Sequence, residues 1–270
     1  MNPAFAVCSK RIDGAAEDFK GLGRQLKALR EAYGGEPVLL RHEIQNERQR
    51  LSYYVDGVMP LPEDWDRRVA HILYDVRSAL DHLIQELYVA TNGKRPSKRT
   101  ASLLQFPICT TAGAWRYEVG KKHRLDGIGD RFAQIVRKHQ PYRIKQPWRH
   151  ALARLRTLSD QDKHRRPSVV FTAARDFQIK VHVNGIGAPR VDPVGVGRAL
   201  KVGAEFAHIY VVPWGPMNLG VDVQNRGTFS PSLGRGVIVD DLLVKVIETA
   251  WAVVRESEAE WRVATGRLPI

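Results

Sequence analysis

The chain has 270 residues, 43% hydrophobic and 26% charged, which is enough to bury a core without disulfide or metal staples. Its two cysteines, Cys8 and Cys109, form no Cys-x-x-Cys pair, and no apolar run is long enough to span a membrane; a disulfide framework and a transmembrane helix are excluded. The net charge of +13 points to an anionic partner, and the absence of an apolar leader within residues 1–20 sets the expectation of a reducing, cytoplasmic setting.

Phe19, Leu22, Leu26, Leu29 and Tyr33 recur at steps of three and four, predicting a helix over about 13–33 that Gly34-Gly35 stops. From Val38 to Val58 the period becomes two. Leu51, Tyr53 and Val55 alternate with Ser52 and Tyr54, and Leu40–Ile44 can pair with them across a turn at 45–50, giving a β-hairpin. Pro62-Glu63-Asp64 opens a long helix over about 63–91. Val69, Ile72, Leu73, Val76, Leu80, Leu83, Ile84 and Leu87 share one of its faces, and Asn92-Gly93 ends it. Residues 94–127 read as loops with a short helix around Trp115. Helical segments within about 128–160 carry Phe132, Ile135 and Val136, then Trp148, Leu152, Leu155 and Leu158. Period-two stretches at 177–183, 206–212 and 217–223 predict strands in a region of about 168–225. A last helix runs over about 240–264, with Leu243, Ile247, Ala250, Val254 and Trp261 facing inward. The order implies an α+β fold: one domain over 1–270, built as a helical bundle with an N-terminal β-hairpin and an antiparallel β-sheet insertion before the last helix.

The charge is unevenly placed. Residues 94–170 carry 19 basic and 5 acidic side chains, whereas 1–93 carry 12 and 14, and 171–270 carry 11 and 10. A solvated surface normally mixes its signs. Lys94, Arg95, Lys98 and Arg99 read as a basic loop. Arg137, Lys138, Arg143, Lys145 and Arg149, interleaved with Tyr142 and Trp148, set cations beside stacking surfaces, a combination that suits single-stranded RNA or DNA. Trp148 is equally suited to anchoring a core.

On the long helix, His71, Asp75, Ser78 and His82 fall opposite the apolar face, with Arg77 and Asp81 between the two. Arg77 and Asp81 are four residues apart and can form one helical salt bridge on a solvated face. The string Arg77-Ser78-Ala79-Leu80-Asp81-His82 also resembles the Arg-x4-His signature of HEPN-domain ribonucleases. That resemblance implies a helical, dimerising protein of the kind found in toxin–antitoxin, phage-defence or RNA-processing systems, with Arg77 and His82 acting on a phosphate without metal. Four strings in order, RSALDHL, FPI at 106–108, QPY at 140–142 and DKHR at 162–165, are similar to a family of actinobacterial proteins, a likeness that brings no activity with it but directs attention to Lys163, His164 and Arg165.

Cleavage through the RNA 2′-hydroxyl needs a base, an acid and cations. His82 then serves as acid/base and Arg77 as phosphate clamp. Asp81 orients one of them, and His164 or a symmetry-related His82 supplies the second proton-transfer group; Lys163 and Arg165 add phosphate contacts. No cofactor is expected. A metal hydrolase built on His71 and Asp75 is disfavoured, because His82 lies about 16 Å further along the helix from His71. The non-enzymatic alternative is a nucleic-acid-binding protein in which the Arg77–Asp81 pair is structural.

Overall fold

The computed structural model describes residues 3–45, 50–162, 169–173, 178–183, 190–193, 199–210, 221–226, 229–233 and 237–266. The fold is α+β, with seven α-helices and nine strands among the described residues. By contact these gather into two compact units: residues 1–22, 67–167 and 242–270 in one, and residues 23–66 and 168–241 in the other.

The first unit is helical. It contains the first part of α1 (Pro3–Ala32), most of α2 (Trp65–Asn92), α3 (Lys98–Leu103), α4 (Ala112–Gly120), α5 (Asp130–Lys138), α6 (Ala151–Asp162) and most of α7 (Val239–Ala264). The apolar stripe of α2 is buried as its spacing demands: Val69, Ile72, Leu73, Val76, Leu80, Leu83, Ile84 and Leu87 have at most 2% exposure. Burying one such side chain contributes about 1.5–3 kcal/mol, so this face dominates the unit. Helix α1 joins α2 through Arg11–Asp75 at 3.3 Å, and meets α7 through the edge-to-face rings of Phe5 and Trp261. Helix α1 starts ten residues earlier than its spacing predicts. Its first turns bury Phe5, Cys8, Ile12 and Ala15, a stripe half made of small residues that a search for large apolar side chains passes over. Helix α2 ends at Gly93, whose φ of +68° favours glycine. Gly127 also has a positive φ, and a Cβ there would sit 2.7 Å from Tyr88, so only glycine lets the 121–129 loop lie against α2.

The second unit holds the sheets. Strands β1 (Val38–Gln45) and β2 (Arg50–Val58) form the expected hairpin, with Leu40 opposite Val55, His42 opposite Tyr53 and Ile44 opposite Leu51. The hairpin is not separate from the later strands. Strand β2 also pairs antiparallel with β6 (Glu205–Tyr210), which pairs with β5 (Arg190–Pro193), giving the order β1-β2-β6-β5. Because β2 is an inner strand, its outward-reading Ser52 is buried too, and its hydroxyl donates to Glu205 at 3.0 Å. Strand β3 (Val169–Ala173) pairs with β8 (Phe229–Leu233), which pairs with β9 (Val237–Ile238). Strand β4 (Gln178–Val183) pairs with β7 (Val221–Arg226). Strands therefore continue to Ile238, beyond the expected limit at 225. Phe177 and the ends predicted at 211–212 and 217–220 lie outside the described residues.

Candidate functional site

In the helical unit the extended segment Phe106–Cys109 is clamped from three sides. Asp81 Oδ1 accepts from the Phe106 amide at 2.8 Å. Gln140, fully buried, donates through Nε2 to the Pro107 carbonyl at 2.8 Å and to that of Val136 at 3.0 Å, while its Oε1 accepts from the Cys109 amide at 2.9 Å. Arg156 donates to the Ile108 carbonyl at 2.8 Å. Three of the four strings picked out in the sequence thus meet at one segment. The fourth begins at Asp162, the last residue of α6; Lys163, His164 and Arg165 lie outside the described residues.

Beside this segment lies a cavity of about 590 Å³. Arg77 and Asp81 line it from α2, Arg156, Ser159 and Asp160 from α6, and Glu118 and Arg124 from α4 and the loop after it. Each arginine there has a carboxylate partner: Arg77–Asp81 at 3.0 Å, Arg124–Glu118 at 3.2 Å and Arg156–Asp160 at 3.7 Å. Burial pushes the Asp81 carboxyl above its ordinary range, against the pull of Arg77, the Phe106 amide and Arg124. A carboxylate kept in a cleft where its charged form is penalised is a mark of functional sites as well as of structural networks.

His82 is half-buried and is not among the cavity-lining residues. Residues five apart on a helix point about 140° away from each other, so α2 turns Arg77 and Asp81 toward the cavity and His82 toward another face. Among the described residues lining the cavity there is no histidine. The His71–Asp75 pair gains a third neighbour that the sequence does not reveal, Asp18 of α1. The ligand atoms of the three lie within 4.8 Å of one another, but Asp75 is already paired with Arg11.

The basic candidates divide into three groups. Lys94 and Arg95 are exposed on the loop after α2; Lys98 and Arg99, read as loop, form the first turn of α3, which Ser97 caps by accepting from the Thr100 amide. Lys138 is committed to Glu256 at 3.0 Å, and Arg137 donates to the Tyr142 hydroxyl at 3.2 Å. Arg143 and Arg149 are exposed at the ends of two short 3₁₀ turns, Pro141–Arg143 and Pro147–Arg149, with the exposed Lys145 between the turns, and none of the three pairs with an acid among the described residues. Trp148 is not part of α6 and is no core anchor: it stands on the second turn, 66% exposed. The reason is local. His150 has extended backbone, so α6 begins only at Ala151, and Pro147 starts a separate turn.

Arg124, Arg156, Glu118, Ser159 and Asp160 carry no sequence signal of their own. Nothing distinguishes these two arginines from the chain's other basic residues until the fold brings them together. No protein-family model, curated protein or solved structure matches the chain. Among the described residues no helix is long and apolar enough to cross a membrane.

Proposed function

We propose that the protein binds single-stranded nucleic acid, RNA foremost, through the surface formed by residues 143–149. The observation that carries this reading is Trp148, two-thirds exposed between Lys145 and Arg149, with Arg143 on the preceding turn. A large exposed indole is costly to leave in water, yet beside cations that have no acidic partner among the described residues it is what base stacking with phosphate contact requires. The concentration of positive charge in residues 94–170 supports the same reading.

Metal-independent cleavage of the HEPN type asks for more, namely an acid/base at the phosphate that Arg77 grips. With His82 turned away from the Arg77 cavity, that group would have to be His164, or His82 of the partner subunit in a homodimer. Binding is therefore favoured over cleavage.

The test is anisotropy of fluorescent single-stranded RNA with the full chain in EDTA, followed by electrophoresis of the same samples. Binding is expected without loss of intact RNA, and Trp148→Ala should weaken it by about 1–3 kcal/mol. Equal affinity in Trp148→Ala would overturn the assignment of this surface. Cleavage abolished by His82→Ala or His164→Ala would replace binding with the ribonuclease reading.

A further inference from the structure

We propose that the Arg77 cavity is a binding site for a nucleoside monophosphate group, either as a free nucleotide or as the phosphorylated end of a nucleic-acid strand. The inference rests on the cavity alone and stands whether or not residues 143–149 bind RNA.

Three guanidinium groups from separate parts of the chain line one cavity. Each is anchored by bonds to protein: Arg77 by Asp81, Arg124 by Glu118 and the Leu103 carbonyl, and Arg156 by Asp160 and the Ile108 carbonyl. A guanidinium has five N–H donors in a rigid fork, and these bonds use only one or two per arginine. Anchoring part of a fork to protein leaves the remainder pre-positioned, and the match to phosphate oxygens is the reason arginine predominates in phosphate sites.

The rest of the lining sets the ligand's body. Tyr74, 62% exposed, and the half-buried Leu158 offer aromatic and apolar surface in the lining, which suits a flat base and not a polar sugar phosphate. The volume of about 590 Å³ lies within the range of small-molecule sites. The three carboxylates set the charge. With Asp81, Glu118 and Asp160 balancing the three arginines, the site recognises phosphate by directed hydrogen bonds without a strong positive field. Further phosphates would meet carboxylates, so a monophosphate is preferred over a triphosphate.

Calorimetric titration of the full chain with the four ribonucleoside monophosphates, the corresponding nucleosides and triphosphates, and inorganic phosphate tests the assignment. At least one monophosphate should bind one-to-one, about tenfold or more tighter than its nucleoside, its triphosphate or inorganic phosphate, a factor expected from one good charge-assisted contact. Arg77→Lys and Arg124→Lys each keep the charge beside their carboxylate partner, Asp81 and Glu118, but lose the fork. Both should stay folded by thermal unfolding and bind the monophosphate several-fold more weakly. Trp148→Ala should leave the monophosphate affinity unchanged, which keeps this result distinct from the fate of the RNA-binding surface. A 5′-phosphorylated oligonucleotide that competes with the nucleotide, while its 5′-hydroxyl twin does not, identifies a strand end as the source of the phosphate; competition by neither identifies the free nucleotide. If no monophosphate binds tighter than its nucleoside, or if both variants bind as the parent does, the proposal is wrong.

Discussion

Asp81 and Gln140 do for the fold what a disulfide does elsewhere: each ties Phe106–Cys109 to a helix through groups that have no other way to be satisfied. Removing Asp81 as alanine leaves the Phe106 amide without its acceptor and Arg77 without its partner. The cost should be about 2 kcal/mol, whereas Asp81→Asn, which still offers an oxygen to Phe106, should cost about 1 kcal/mol or less. Urea unfolding at neutral pH measures both. An equal loss for Asn and Ala would show that the charge of Asp81, not its acceptor role, is what matters. Gln140→Ala should cost about 3 kcal/mol, because one amide and two carbonyls lose their partner in a dry site. At this scale the sequence was partly legible. The i,i+4 pairing of Arg77 with Asp81 follows from helix geometry, and the strings around Asp81, Phe106 and Gln140 stand out. Their roles do not, because they are bonds between residues 25 to 33 positions apart, and no local rule sets which loop a helix side chain will meet.

At the scale of elements, α6 is the piece whose stability reaches the cavity, since it carries Arg156, Ser159 and Asp160. Its N-cap is His150, whose Nδ1 accepts from the Leu152 amide at 3.2 Å. Burial, with the neighbouring His139 adding to it, lowers the His150 pKa from the ordinary 6.5. Protonation would turn this acceptor into a donor and set a cation at the positive end of the helix dipole. A histidine whose folded pKa is depressed contributes stability that is fully present above 6.5 and is lost as the pH falls through the folded value. The unfolding free energy should therefore decline more steeply below pH 6.5 in the parent than in His150→Asn, which caps without titrating. Denaturation curves from pH 7.5 to 5 measure the difference between the two proteins, and a difference that stays flat across that range would refute the account. The long helices α2 and α7 were legible to within two residues, since many large apolar residues repeat on one face. Helix α3, six residues with no buried side chain, left only a capping serine as its sign. The start of α6 was misplaced because Trp148 fits the spacing of Leu152 and Leu155; the extended backbone at His150 overrides that period.

For the whole molecule the question is which of its many cations meet the partner. Net charge alone says that an anion is attracted; it does not say where. The structure separates the basic candidates by what already occupies them. Lys138 and His139 both reach Glu256 of α7. Burial would raise the pKa of that carboxyl, but the hydrogen bonds and charges of these two together hold it below its ordinary range. A carboxyl so depressed stabilises the fold above pH 4.5, and the contribution is lost as the pH falls through its lower folded value. Lys138 is thus spent on fastening α5 to α7, beside Arg131–Glu260. Arg143, Lys145 and Arg149 have no such commitment among the described residues. Charge reversal should sort the two groups. Arg143→Glu, Lys145→Glu and Arg149→Glu should each lower the slope of log affinity for single-stranded RNA against log salt by about 0.7, with little change in unfolding. Lys138→Glu should do the opposite, leaving the slope near that of the parent while lowering thermal stability, because two carboxylates then face each other between α5 and α7. Anisotropy titrations over a range of salt concentrations, paired with thermal unfolding, read both quantities. Were Lys138→Glu to change the slope as much as Arg149→Glu does, the RNA path would have to cross the α5–α7 seam, and the surface centred on Trp148 would not be its main contact.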